Sequence, residues 1–100
     1  MKVDAYKAYV TMFYALDAAY DNNNSSELGQ FLSAANPFLF KGEGSADIAV
    51  YEGFRVDYPD DAEEAEALSF VRDYLAKQGE LLLAAFDSIA NAAAWNEALK

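Results

Sequence analysis

Apolar and polar positions alternate with the period of a helix along the last forty residues. The larger apolar residues fall at Leu68, Val71, Leu75, Leu82, Phe86 and Ile89, and Ala65 and Ala93 extend the series. Steps of three, four and seven residues place these positions on one helix face. The pattern predicts a long C-terminal helix within Asp60 to Lys100, around which the rest of the chain packs.

The sequence leaves open whether 60–100 forms one helix or two. Lys77, Gly79 and Glu80 resemble a helix stop followed by a new start, but no loop of the usual hairpin length is visible. An unbroken helix over 61–98 would extend roughly 57 Å at 1.5 Å per residue. A domain of this size is only ~35 Å across. We favour a helix that is kinked at Gly79 or continuous, with any overhang covered by a second copy.

Two shorter helices are predicted in the first half of the chain. From Asp4 to Asp21, the residues that share one broad apolar face are Tyr6, Tyr9, Val10, Phe13, Leu16 and Tyr20. Asp4 is placed to cap this helix. A second helix is predicted from Ser25 to Ala35, with Asn24 and Glu27 as a capping pair, and Pro37 ends it.

The segment 46–58 is ambiguous between helix and strand. As a helix it places Ile48, Tyr51, Phe54 and Tyr58 at steps of three and four, and as a strand it alternates through Val50 and Val56. An isolated pair of short strands is marginally stable, so we favour the helix. The whole sequence, 1–100, is therefore predicted to form a single all-α domain, a small bundle of about four helices.

Composition argues against several functional classes. The chain has no cysteine and no histidine, so the usual ligands for zinc and other transition metals are missing, and no cofactor is expected. No apolar run reaches the roughly 18–20 residues of a membrane span. A net charge of −10 opposes binding to nucleic-acid phosphates and to anionic lipid. We expect a cytoplasmic protein.

The most concentrated charge is an acidic cluster, which consists of Asp57, Asp60, Asp61, Glu63, Glu64 and Glu66. It has two interpretations: a solvated, capped helix start, or a surface that binds a basic protein partner. The seven tyrosines also suit interfaces, because one end of the side chain is apolar and the other forms hydrogen bonds. We expect Tyr14, Tyr51 and Tyr58 to be partly exposed.

No pattern indicates an enzyme. The clustered carboxylates look equally solvated, so nothing separates a general acid from a general base. Lys41 to Ser45 lacks the spacing of a phosphate-binding loop. A serine nucleophile without histidine would need a lysine base, and neither Ser69 nor Ser88 has one nearby in the sequence.

The sequence therefore predicts a non-enzymatic, acidic, helical protein–protein interaction domain. Its partner would be a basic protein, as for an adaptor, an antitoxin or an immunity-type inhibitor. Asp57 to Glu66 together with Tyr51 and Tyr58 would form the contact surface. The alternative is a homodimer whose interface is formed by the long helix. A second alternative is a ligand carrier or enzyme with a pocket beneath Phe38 to Phe40.

Overall fold

The computed structural model describes residues 2–22, 25–35, 48–59, 62–90 and 92–99. Within these ranges the chain forms six helices and one pair of short strands. In order, the elements are β1 (Lys2–Val3), α1 (Ala5–Asn22), α2 (Ser26–Ala35), α3 (Ile48–Asp57), β2 (Ala62–Glu63), α4 (Glu64–Gln78), α5 (Glu80–Ile89) and α6 (Ala92–Ala98). The all-α prediction is confirmed.

Helix α1 lies at the centre of the fold and contacts α2, α3, α4 and α5. Its start is capped as predicted, because the Asp4 carboxylate accepts a hydrogen bond from the Lys7 N–H at 2.8 Å. Its buried residues are Ala8, Tyr9, Thr11, Met12, Phe13, Leu16 and Ala19. Apolar positions on much of its circumference allow this helix, rather than the C-terminal stretch, to serve as the centre of packing.

Helices α2 and α3 confirm two further predictions. The Ser25 hydroxyl lies 3.5 Å from the Leu28 N–H at the start of α2, whereas the predicted cap Asn24 lies outside the described residues. So do Pro37, Phe38 to Phe40, and Lys41 to Ser45. The ambiguous segment is helical from Ile48 to Asp57, with Tyr51 and Phe54 buried on one face.

The predicted long C-terminal helix is divided into α4, α5 and α6. Gly79 stands between α4 and α5 in an extended conformation, with its N–H bonded to the Leu75 carbonyl at 2.9 Å. Arg72 donates two hydrogen bonds to the Asp87 carboxylate, at 2.9 and 3.0 Å. Along a straight helix, these two residues would be about 22 Å apart, so the chain folds back at Gly79.

This reversal removes the overhang that an unbroken helix would create. The molecule measures 34 × 29 × 23 Å, with a radius of gyration of 12.3 Å. The division of one predicted helix into three also explains why the described ranges contain six helices where about four were predicted. A single extended residue makes the turn, so the loop that a hairpin usually needs is absent from the sequence.

A short strand pair was not predicted. β1 and β2 pair antiparallel, with Lys2 opposite Glu63 and Val3 opposite Ala62. Val3 and Ala62 are buried, which ties the start of the chain to the start of α4. Two residues are too few to show the alternation that identifies a strand in a sequence. Within the described ranges, no helix has the length and apolar character needed to cross a membrane.

Candidate interaction surfaces

The acidic cluster is only partly described by the structure. Asp60 and Asp61 lie outside the described residues, and of Asp57 only the backbone, within α3, is described. The helix begins at Glu64 rather than near Asp60, and the Glu66 carboxylate accepts a hydrogen bond from the Glu63 N–H at 3.4 Å. The described part of the cluster thus caps α4. This agrees with the interpretation of the acidic cluster as a solvated, capped helix start.

The Glu63 carboxylate forms an ion pair within the chain. It lies 3.3 Å from the Lys2 ammonium across the strand pair, and both side chains are exposed. Hydrogen bonding and attraction from the charged amino terminus, followed by those from Lys2, hold the pKa of Glu63 below its ordinary value. A carboxylate that already has cationic neighbours offers less to a basic partner than an unpaired one.

Tyr51 and Tyr58 are core residues, so the expectation that they are partly exposed is wrong. They are 4% and 7% exposed, and both belong to an aromatic cluster formed by Tyr9, Tyr51, Phe54, Tyr58, Phe70 and Tyr74. The Phe54 ring has four neighbours in this cluster, at centroid distances from 5.1 Å for Tyr74 to 5.6 Å for Tyr58. The aromatic cluster joins α1, α3 and α4, and it serves packing.

Two hydroxyl groups of the aromatic cluster bond to the backbone. Tyr58 donates to the Val3 carbonyl at 2.9 Å, which fastens β1 to the end of α3. Tyr74 lies 3.4 Å from the Val50 carbonyl, and burial raises the pKa of Tyr74. Burying a tyrosine is favourable when its hydroxyl keeps a partner. These hydroxyls hold the fold together.

A polar depression of about 370 Å³ lies beside the aromatic cluster, where α1 meets α3. Its lining includes Asp4, Tyr6, Tyr51, Arg55, Val56 and Tyr58. Tyr6 stands edge-on to Tyr51 with ring centroids 5.9 Å apart. The lining holds one charge of each sign, from Asp4 and Arg55, so this depression does not favour a basic partner.

A second concave region consists of two adjoining depressions, the first where α1 meets α2 and α5 and the second where α1 meets α5 and α6. One half is about 330 Å³, with a lining that includes Ala19, Asn22, Leu28, Leu81, Ala85 and Ser88. The other half is about 210 Å³, with a lining that includes Tyr14, Ala15, Ala18, Ile89, Ala94 and Trp95. The halves follow one another along the antiparallel helices α1 and α5, and we call them together the alanine groove.

The alanine groove was missed by reasoning from the sequence, although Tyr14 was correctly expected at the surface. Tyr14 is 57% exposed and Leu81 is 42% exposed, and they stand in opposite halves of the groove. Trp95 at its floor is fully buried and donates its indole N–H to the Glu64 carbonyl at 3.0 Å. Single alanines carry little apolar signal, so the sequence pattern does not reveal this groove.

Negative charge at the surface is largely unpaired. Exposed acids of the described residues that form no ion pair include Asp17, Asp21, Glu27, Glu52, Asp73 and Glu80. They lie on α1, α2, α3, α4 and α5. The exposed cations without an ion pair in the same ranges are Lys7, Arg55 and Lys77. The excess of negative charge is therefore spread over the surface rather than confined to one cluster.

The described ranges contain no group of three or more acidic residues placed to hold a metal ion, and no buried side-chain nitrogen or oxygen in them lacks a hydrogen-bond partner. Ser88, one of the two serines weighed as nucleophiles, donates to the Ala85 carbonyl at 2.7 Å. Comparisons of the chain with protein families, curated proteins and solved structures find no match.

Proposed function

We propose that this chain is a non-enzymatic interaction domain that binds a protein partner with a basic surface, in the manner of an adaptor, an antitoxin or an immunity-type inhibitor. The observation that carries the proposal is the unpaired negative charge on five of the helices. Such a surface attracts a positively charged protein over a distance and accelerates its association. The same charge repels nucleic acid and anionic membranes.

The proposed contact surface differs from the one predicted around 57–66. Tyr51 and Tyr58 are buried, and Glu63 is engaged by Lys2. Glu64 and Glu66 belong to the first turn of α4, where acidic side chains also stabilise the helix dipole. The prediction that the partner contacts Asp57, Asp60 and Asp61 is unchanged. The unpaired acids Asp21 and Glu80 are stronger candidates, because their chain neighbours Asn22 and Leu81 line a concave, largely apolar surface.

Affinity capture from the native host at low salt, with light scattering on the recovered complex, tests this function. We expect a stoichiometric complex with a basic protein, and an affinity that falls steeply as salt is added, because ions screen surface charge. Recovery of a complex whose affinity is insensitive to salt would contradict the proposal, as would a chain that remains monomeric at low salt.

Self-assembly is the competing outcome. The feature that suggested it was a helix extending beyond the domain, and the reversal at Gly79 leaves no such helix. Two copies each carrying a charge of −10 also repel one another at low salt. A homodimer that persists at low salt would therefore overturn the proposed function.

A further inference from the structure

We propose that the alanine groove is the docking site for an amphipathic helix of the partner, with an apolar stripe flanked by lysine or arginine. This inference rests on the proposed function and names the place and chemistry of binding. Helices commonly bind other proteins by laying an apolar face into a groove.

The dimensions of the groove suit a helix. On α1 it extends from Thr11 to Asn22, which is about 17 Å at 1.5 Å per residue. A partner helix of about three turns covers that length. Short side chains such as Ala15, Ala18 and Ala85 line the groove, so a second helix can approach closely without displacing large groups.

Exposed apolar side chains mark the same surface. Among the residues that the structure describes, the exposed large apolar side chains are those of Tyr14, Val56 and Leu81, and two of these three line the groove. Tyr14 presents an aromatic face, which suits a cation or an apolar side chain of the partner. Apolar residues concentrated in one concavity indicate an interaction site more strongly than scattered ones. Val56, on α3, stands apart from the groove.

Acidic residues near the groove favour a partner helix with basic residues on both sides of its apolar stripe. Asp21 follows Tyr14 by seven residues and Glu80 precedes Ala84 by four, so each acid lies in the same row as a residue lining the groove. Neither forms an ion pair. Lys7 is the single cation in the sequence of α1, α5 and α6, against five acids. Basic flanks complement this border, whereas a second copy would bring its own acids against it.

The probe for this inference is a synthetic amphipathic peptide with leucine at helical spacing and lysine on both flanks. A matched peptide has glutamate in place of each lysine. We expect the lysine peptide to shift the backbone NMR signals of α1, α5 and α6 and to bind more weakly as salt rises. No binding by the lysine peptide, equal binding by the glutamate peptide, or shifts centred on α3 would overturn the inference.

Substitutions then separate the groove from the general surface. The double variant Tyr14→Ser and Leu81→Ser is expected to weaken peptide binding by about tenfold or more, as at interface hot spots. Val56→Ser removes an even more exposed apolar side chain outside the groove, and it should leave binding unchanged. In the same way, Asp21→Asn with Glu80→Gln should weaken binding, whereas Glu52→Gln with Asp73→Asn should weaken it less. If a groove variant and its control variant weakened binding equally, the groove would not be the binding site.

The two proposals fail in different ways. If affinity capture recovers a basic partner whose binding is unaffected by the Tyr14 and Leu81 double variant, the proposed function stands and the groove is not the site. If no basic partner is recovered but the lysine peptide binds in the groove, the docking chemistry stands and the proposed function fails. Groove signals that shift with the concentration of the protein alone would show that a second copy is the occupant.

Discussion

The two sides of α1 are packed by opposite means. On one side, Tyr9 meets the rings of Tyr51 and Phe54 at centroid distances of 5.0 and 5.4 Å, within the aromatic cluster. On the other, Ala15 and Ala18 line the alanine groove beside α5 and α6. Both sides belong to one continuous helix of 18 residues, so the contrast comes from the side chains that the helix presents on each side.

The difference separates stability from recognition. The large rings of the aromatic cluster fill the space between α1, α3 and α4. Edge-to-face ring pairs add to the stabilisation that burial provides. Small side chains bury little area each, and they leave a concavity that another molecule can fill. We therefore expect substitutions in the aromatic cluster to change the free energy of unfolding, and substitutions in the alanine groove to change binding with little effect on unfolding.

The largest effect is expected from Phe54→Ala. The Phe54 side chain is fully buried and its ring lies close to those of Tyr9, Tyr58, Phe70 and Tyr74. Removing it should lower the free energy of unfolding by about 3–5 kcal/mol, through lost burial and the cavity left behind. Chemical denaturation measures this change.

Leu81→Ala is the matched change on the groove side, and we expect it to cost less than about 1 kcal/mol because the side chain is already partly exposed. Similar losses for the two variants would break the distinction between the two sides of α1.

A smaller effect is expected from Tyr58→Phe. The change keeps the ring and removes the hydroxyl that donates to the Val3 carbonyl at 2.9 Å. Loss of this buried hydrogen bond should cost about 1 kcal/mol in urea or guanidinium denaturation. Tyr74→Phe provides the comparison, since its contact with the Val50 carbonyl is longer, at 3.4 Å. A larger loss at Tyr74 than at Tyr58 would be contrary to this expectation.

Gly53→Ala should stabilise the protein by about 0.5–1 kcal/mol, because alanine is the better helix former. A Cβ atom at Gly53 meets nothing within 4 Å. At Gly29 a Cβ would lie 3.1–3.3 Å from the Tyr20 side chain, so Gly29→Ala should gain less or destabilise. Thermal unfolding of the two variants measures the difference, and an equal gain at both positions would show that α1 and α2 have room to separate.

The smallest effect concerns pH and the strand pair. The pKa of Glu63 is depressed in the folded chain by the amino terminus and Lys2. Its contribution to stability is therefore present above the pKa of the unfolded chain and is lost as pH falls through the folded-state pKa. Glu63→Gln should reduce the acid sensitivity of the melting temperature slightly. An unchanged pH profile would show that the contact with Lys2 is too exposed to matter.

The helices with clear apolar periodicity were predictable from the sequence. Asp4 to Asp21 was predicted for α1 and Ala5–Asn22 is found, because its caps and stripe are local signals. The sequence favoured a helix that is kinked at Gly79 or continuous, because the apolar stripe keeps its phase on both sides of the glycine, whereas the structure shows a reversal there. What identifies the reversal is the pairing of Arg72 with Asp87, a contact between residues fifteen apart.

The candidate surfaces were harder to predict than the helices. Tyr51 and Tyr58 were expected at the surface because a tyrosine side chain has one apolar end and one that forms hydrogen bonds, but which side of a helix is covered depends on its neighbours. The alanine groove has the opposite difficulty, since its residues are small and come from separate parts of the chain. Only the three-dimensional arrangement places Ala18 beside Ile89.

The single tryptophan gives this protein an internal optical reporter. Trp95 has 0% exposure and its indole N–H is bonded to the Glu64 carbonyl, so its fluorescence emission belongs at short wavelength while the fold is intact. Exposure to water on unfolding shifts the emission to longer wavelength. Because the same ring lines the alanine groove, a molecule seated there changes the emission without any attached dye, and titrations can follow it directly.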